Sequence, residues 1–509
     1  MALLGLDIGT SSTKAILIDE AGKVLGVASA PTTVSTPPGK GGAWTEQDPL
    51  DWWRATRESV RGALAAAGLD ATQVRAIGLS GQMHGSVFLS RRAMDTVASG
   101  GGVHALRPAL LWNDQRTADQ LETINAAAGG SANLVAMVGN AALTGFQLPK
   151  ILWMRQHEPR VFAEIAAVLL PKDYIRFCMS GELATDAGDA CGTLLFDPSA
   201  RRWNTGFMET LGLDPAWFPP VRESEEIAGV LSPGAAEQLG LKAGTPIVAG
   251  SGDNQCGAVG AGVVEPGLVL AILGTSGVVY AHTQTPRPDL DADRPGRTHS
   301  MCSPGRQWCV TGVMLSAAGS LDWLATRMFP GTPLQTLLAE AWAVEPGCEG
   351  LTFLPYLQGE RCPHPDSTAR GAFVGLSLRH GRGHMTRAVI EGVTFGMAEI
   401  MGIVRSLDVP VNAVRVGGGG AKSREWRQLL ADVLGSPVEV PTTEEGGAYG
   451  AALLAGVGAG EWKTVAQACL ACIRATDRVE PSAAGSRWAG RIGHFGELYS
   501  ALRGRFTGE

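Results

Sequence analysis

Short apolar runs separated by small polar turns open the chain. Residues 3–6 and 15–18 are apolar, with the small polar stretch Asp7-Ile8-Gly9-Thr10-Ser11-Ser12-Thr13 between them. After the turn Asp19-Glu20-Ala21-Gly22 a third apolar run covers 24–27. Three adjacent strands joined by tight turns predict an antiparallel meander. Asp48-Pro49 then supplies a helix start, a capping carboxylate with proline at the first helical position. Leu50, Trp53, Val60, Leu64 and Ala67 recur near helical spacing, and Gly68 stops the run. Residues 74–79 read as a buried strand ending in Ser80-Gly81-Gln82-Met83-His84-Gly85. Continued alternation of strand and helix patterns predicts an α/β architecture.

A turn-rich stretch over 231–246 marks a change, after which the chain restarts its own grammar. Residues 268–273 are apolar, Gly274-Thr275-Ser276-Gly277 is small and polar, and 278–280 are apolar. The echo differs at one place: Asp7, two residues before the first Gly-Thr-Ser, corresponds to Ile272 in the second. A carboxylate present once suits a task performed once. Further on, Val414-Arg415-Val416 runs into Gly417-Gly418-Gly419-Gly420, a helix is expected over 423–434, and Gly447-Ala448-Tyr449-Gly450-Ala451-Ala452 opens a small-residue helix. Residues 91–107 and 283–297 read as exposed connections.

Length and composition narrow the class. A chain of 509 residues exceeds one hydrophobic core, so two or three domains are expected. No apolar run is long enough to span a bilayer, and the start lacks the basic leader of a secretory signal. A net charge of −7 argues against binding the phosphate backbone of nucleic acid. Nine cysteines are scattered, and Cys469-x-x-Cys472 has no second pair or histidines to complete a zinc site. Reduced thiols, and hence a cytoplasmic address, are the expectation.

Three glycine loops, at 9–13, 274–277 and 417–420, each follow a short strand and could bring backbone amides against phosphate oxygens. Neither a Walker A loop nor a dinucleotide fingerprint is present, because Ala421 stands before Lys422-Ser423. Asp7 reads either as a turn cap or as a ligand for the magnesium carried by ATP, a cation that prefers oxygen. Asp253 reads either as an N-cap or as a general base at the end of a strand. His84 with Gln82 offers hydrogen-bonding partners to a polyhydroxyl substrate, or is a satisfied structural histidine. Trp112 could stack on a sugar or pack in the core.

Taken together, these stretches resemble the FGGY carbohydrate kinases from Gly5 to about Gly456. Gly5-Leu6-Asp7-Ile8-Gly9-Thr10-Ser11 is similar to the family's first phosphate turn, Gly274-Thr275-Ser276-Gly277 to its second, and 417–420 to its adenosine loop. Residues 371–391 match its C-terminal signature; the N-terminal one, around Lys150-Ile151-Leu152-Trp153, departs at Gln147, where a small hydroxyl residue or proline is usual. Gln82-Met83-His84-Gly85 and Phe353-Leu354-Pro355-Tyr356-Leu357-Gln358-Gly359-Glu360-Arg361 resemble the branch acting on D-xylulose. The resemblance implies two ribonuclease-H-like α/β domains of the actin and sugar-kinase superfamily facing a central cleft. A sugar-binding domain would cover 1–245, an ATP-binding domain 246–470 and a helical tail 471–509. It further implies Asp253 as catalytic base, with Asp7 as a second catalytic acid linked to magnesium directly or through water. Met83, His84, Asp253 and Asn254 would bind the sugar. Gly9, Thr10, Ser11, Gly274, Thr275, Ser276, Gly418 and Gly419 would bind ATP. The implied partners are D-xylulose, ATP and Mg²⁺, with a homodimer by analogy and neither nucleic acid nor membrane. A kinase for another ketose or polyol, or a non-catalytic sugar or nucleotide switch, remains as the alternative. A repressor is disfavoured because the first strand begins near residue 3.

Overall fold

The computed structural model describes residues 1–40, 43–97, 100–443 and 445–506. The meander expected at the start forms as β1 (Ala2–Ile8), β2 (Ser12–Ile18) and β3 (Val24–Pro31). Helix α1 (Pro49–Ala67) follows; the Asp48 carboxylate accepts from the Leu50 N–H, and Gly68 ends the helix at φ 63°, a left-handed conformation natural to glycine. Strand β4 (Val74–Gly81) lies parallel to β1. With β5 (Ile227–Val230) and β6 (Pro246–Val248) the first sheet runs β5-β6-β4-β1-β2-β3, and the short pair Ser251–Gly252 joins β4.

The second sheet repeats this plan. Its strands are β7 (Gly267–Leu273), β8 (Gly277–Thr283), β9 (His299–Ser303), β10 (Gln307–Met314), β11 (Val411–Gly417), β12 (Val438–Pro441) and β13 (Ala475–Val479). They run β9-β10-β8-β7-β11-β12-β13. In both sheets a three-strand antiparallel meander gives way to two parallel strands and an antiparallel edge. The short echo seen in the sequence is therefore carried by the topology, with β9 as an addition.

Two expectations about boundaries need correction. The turn-rich stretch near 245 is a connection within the first sheet, since β5 and β6 pair antiparallel across it. The tail expected to be helical over 471–509 takes in the end of the helix Val465–Cys472 and then β13, whose Val479 pairs with Val438, before the helix Trp488–Leu502. The loops read as exposed connections are also anchored. Residues Arg91–Thr96 are helical, Val103 is buried, and Gly102 lies against Leu50 and Trp53; residues 98 and 99 lie outside the described residues. In 283–297, buried Asp289 accepts from the Arg297 guanidinium at 2.7 and 2.8 Å.

Two helices join the halves. α2 (Asp253–Gly260) leaves the first sheet, and α3 (Gly446–Gly458) packs across β1, β4 and α2. Small residues permit this: a side chain at Gly5, Gly78 or Gly450 would fall inside a backbone carbonyl of Ala448, Ala451 or Cys256 respectively. Leu3, Ile16, Val259, Ala451 and Ala452 bury together at this seam. Each sheet has its own larger core beneath it.

Candidate active site

Strand register assembles the acidic centre. Asp7 pairs laterally with Lys14 on β2 and with Ser80 on β4, and Ser80 in turn pairs with Ser251. Asp253, two residues on, therefore emerges at the same end of the sheet as Asp7. The Ser80 hydroxyl donates to Asp7 Oδ1 at 3.0 Å. Burial pushes the Asp7 carboxyl above its usual value against the opposing effects of Ser80 and Lys14. Asp253 is pushed up to about 7, first by burial and then by the neighbouring charge of Asp7.

Asp253 is the first residue of α2, and the N-cap position belongs to Gly252, with no capping side chain. The capping position considered for Asp253 is thus taken by a neighbour, and Asp253 is not fully buried. Gly252 is required by proximity: a Cβ there would stand 2.6 Å from Met83 Cγ. The Asn254 amide reaches Met83 Sδ at 3.7 Å, so Met83, Asp253 and Asn254 form one wall.

His84 takes a left-handed backbone, φ 65°, uncommon for a non-glycine residue and pointing to a constrained position. Its Nδ1 lies 3.0 Å from the Gly192 carbonyl and its ring packs on Phe146 at 4.5 Å. Lys150, fully buried, donates to the carbonyls of His84 at 2.8 Å and Gly145 at 2.7 Å. Burial lowers Lys150 to about 7 and takes His84 well below its ordinary value, leaving the imidazole neutral. Gln147, the departure from the family signature, donates to the carbonyls of Gly85 and Leu169 and so braces the same loop.

The first glycine turn is committed on one side. Thr10 Oγ1 donates to Gln82 Oε1 at 3.1 Å and accepts from Trp112 Nε1 at 3.0 Å. Gln47 closes the ring, accepting from Gln82 and Trp52 and donating to the Thr10 carbonyl. Gly9 and Ser11 are partly or fully exposed beside it. Trp112 is accordingly not a core residue; its ring is over a third exposed.

The second and third glycine loops meet. Gly418, φ 84°, passes so close to the end of β7 that a Cβ would lie 2.6 Å from the Leu273 carbonyl. The Gly274–Ser276 turn is braced from behind by Ala317, Ala318 and Gly319, whose amides bond the carbonyls of Thr275 and Gly274. Beside these loops lies a cavity of about 520 Å³, walled by Gly417–Gly419, Lys422, Arg427, Thr443 and the Gly257-Gly260 face of α2. One helix therefore carries Asp253 at its start and the wall of this cavity on its next turns. At 1.5 Å per residue, the two are about 6 Å apart along the axis.

Three site residues have no signal in the sequence, His299, Asn140 and Phe146, while Lys150 belongs to the family-like stretch 150–153 without a role assigned there. His299 Nδ1 lies 3.0 Å from Asn140 Oδ1, with Phe146 edge-on to its ring. No spacing rule joins segments this far apart.

The chain matches the family models described as the FGGY family of carbohydrate kinases, N-terminal domain, over residues 2–260, and C-terminal domain, over 269–459. It is 38% identical over 466 residues to the xylulose kinase of Escherichia coli (strain K12), covering 91% of each chain. It is 36% identical over 482 residues to that of Bacillus subtilis (strain 168), covering 94% of this chain and 93% of the other. Among solved structures, a xyloylose kinase from Brucella ovis superposes with TM-score 0.90 at 34% identity over 99% of this chain and 100% of that one. A xylulose kinase from Rhodospirillum rubrum does so with TM-score 0.89 at 30% identity and the same coverage.

Proposed function

The chain belongs to the FGGY family of carbohydrate kinases, and from that premise we propose that it transfers the γ-phosphoryl group of ATP to the terminal hydroxyl of D-xylulose, giving D-xylulose 5-phosphate. The observation that carries this reading is the position of Asp253: an acidic residue, not fully buried, between the Met83–Asn254 wall and the glycine-lined cavity.

In this reading the open-chain sugar lies on Met83, His84 and Asn254, and the adenosine occupies the cavity beside Gly418 and Gly419. The turns Gly9–Ser11 and Gly274–Ser276 hold the phosphates, chiefly by backbone N–H groups. Asp253 accepts the proton of the C5 hydroxyl as that oxygen bonds the γ-phosphorus. The bond from γ-phosphorus to the bridging oxygen breaks, and its electron pair leaves with ADP.

Magnesium fits the centre in a particular way. Asp7 and Asp253 are neighbouring carboxylates, and Asp253 feels the charge of Asp7, which suits a divalent ion. Among the described residues no group of three or more His, Cys, Asp or Glu side chains could cage one. Asp7 would therefore hold, directly or through water, an ion arriving on ATP, which neutralises charge on the phosphate oxygens.

Asp253 must be ionised to act, so kcat/KM for the sugar should rise with pH to a plateau, with a midpoint near 7. Asp7→Asn removes the neighbouring charge that raises Asp253 and should move that midpoint to lower pH. A flat profile across neutral pH in the wild-type protein would count against Asp253 as the base. The assignment of substrate is tested by ADP release across a panel of pentuloses, hexuloses and polyols, with the product identified by mass and NMR. D-Xylulose should give the highest kcat/KM; a clear preference for another sugar, or no ADP, overturns it.

A further inference from the structure

Arg361 belongs to the second half of the chain but ends in the first. Its backbone is pinned beside β10: the amides of Arg361 and Leu315 both donate to Glu360 Oε1 at 2.8 Å, and the Cys362 amide donates to the Val313 carbonyl at 3.0 Å. From there the side chain reaches the wall built by Gly145, whose carbonyl is held by Lys150 together with that of His84. A Cβ on Gly145 would lie 3.8 Å from Arg361 Nη2.

Among the described residues this guanidinium forms no hydrogen bond or ion pair. It is only partly exposed, and burial lowers its proton affinity despite attraction from Glu360. A charged fork with five N–H donors, held in a recess without partners, is costly unless a ligand supplies them. Its location narrows the ligand. The charge of Arg361 is felt by His84 and His299, both held neutral, whereas the charge felt by Asp253 is that of Asp7. Arg361 thus stands on the histidine side of the pocket.

Building on the reading of Asp253 and the sugar given above, we propose that Arg361 is a specificity-determining residue that binds the carbonyl end of the open-chain ketose. Its parallel N–H groups donate to the C2 carbonyl oxygen and the adjacent C1 hydroxyl while the C5 hydroxyl lies at Asp253. Two acceptors on neighbouring carbons match the guanidinium fork better than they match a point-charge ammonium. Because Arg361 comes from the second half and Met83, His84, Asp253 and Asn254 from the first, sugar bound this way draws the two together.

The test compares D-xylulose with xylitol, which lacks the C2 carbonyl, in wild-type protein, Arg361→Met and Arg361→Lys. Dissociation constants without nucleotide come from calorimetry, steady-state constants from ADP release, and thermal melts check folding. Loss of charge-assisted bonds should weaken D-xylulose roughly 10- to 100-fold in Arg361→Met and weaken xylitol, which keeps only hydroxyl acceptors at C1 and C2, by a clearly smaller factor. The KM for ATP and sugar-independent ATP hydrolysis should hold, with Arg361→Lys intermediate. Equal losses for ketose and polyol, no loss for either, or greater weakening of D-xylulose 5-phosphate than of D-xylulose would overturn the proposal. Should Arg361→Met not fold, the ratio of the two sugars in Arg361→Lys decides. A wild-type protein that phosphorylates no sugar brings down the underlying kinase reading and this proposal with it; an active wild type with an unchanged preference in the variants brings down this one alone.

Discussion

Asp253→Asn is expected to lower turnover with D-xylulose by roughly 10²-fold or more while leaving the affinities for sugar and ATP within severalfold. Asparagine keeps the shape of the side chain and the start of α2 intact, because the N-cap is Gly252 and no capping bond is lost. What disappears is the group that, in the proposed mechanism, accepts a proton in the transition state. An effect confined to kcat is the signature of that loss, since uniform binding is untouched. Turnover within a factor of a few of wild type would remove Asp253 from the role.

Stability separates this outcome from misfolding. Asp253 is raised from 3.8 to about 7 in the folded protein. The folded state therefore binds its proton more tightly than the unfolded chain. Stability from this group is fully present below pH 3.8 and is lost as pH rises through about 7. The helix N-terminus beside the carboxylate works the other way, favouring the anion, yet burial and Asp7 prevail. Asp253→Asn should thus be more stable than wild type at pH 8, by at most about 4 kcal/mol, with the gap closing towards pH 4. A catalytic base commonly has this property: the charge that makes it useful is one the fold would rather discharge.

Much of this site could be read before any coordinates because its parts are local. Asp48-Pro49 with Gly68 delimited α1, since capping is a contact over two or three residues. The glycine turns and Asp253 were visible for the same reason, each lying where an apolar run stops. Asp253's pairing with Asp7 was not visible, because it depends on Asp7, Ser80 and Ser251 coming level across three strands. Thr10 was expected to serve ATP, yet its hydroxyl is engaged with Gln82 and Trp112, two partners whose distance in sequence gives no periodic signal. Arg361 was noticed within a family-like stretch but had no role, as its unpaired state is a property of the folded surroundings alone. The loop at 91–107 is largely exposed, as its glycines suggest; what has no signal in the sequence is its anchoring, with Val103 buried and Gly102 lying against the side chains of Leu50 and Trp53.

The helix seam gives the second large effect, and it turns on where a glycine sits rather than on glycine itself. Gly450 lies inside α3, a position where alanine is normally favoured by about 0.5–1 kcal/mol. A methyl group there would enter the Cys256 carbonyl on α2, which is backbone and cannot rotate aside. Gly450→Ala should therefore destabilise by about 3 kcal/mol or more through forced separation of α2 and α3. Because α2 begins with Asp253 and walls the cavity proposed for the nucleotide with Gly257 and Gly260, any folded variant should also lose turnover and ATP affinity together. Gly402→Ala is the matched control: it is mid-helix in Arg382–Ser406, exposed, and has nothing within 4 Å of a new Cβ. That change should stabilise by about 0.5–1 kcal/mol with activity unaltered. Denaturant melts of the two variants side by side decide the matter. Equal, small changes of the same sign would mean that the seam yields easily, and α3 could not then be what fixes the distance between the base and the nucleotide.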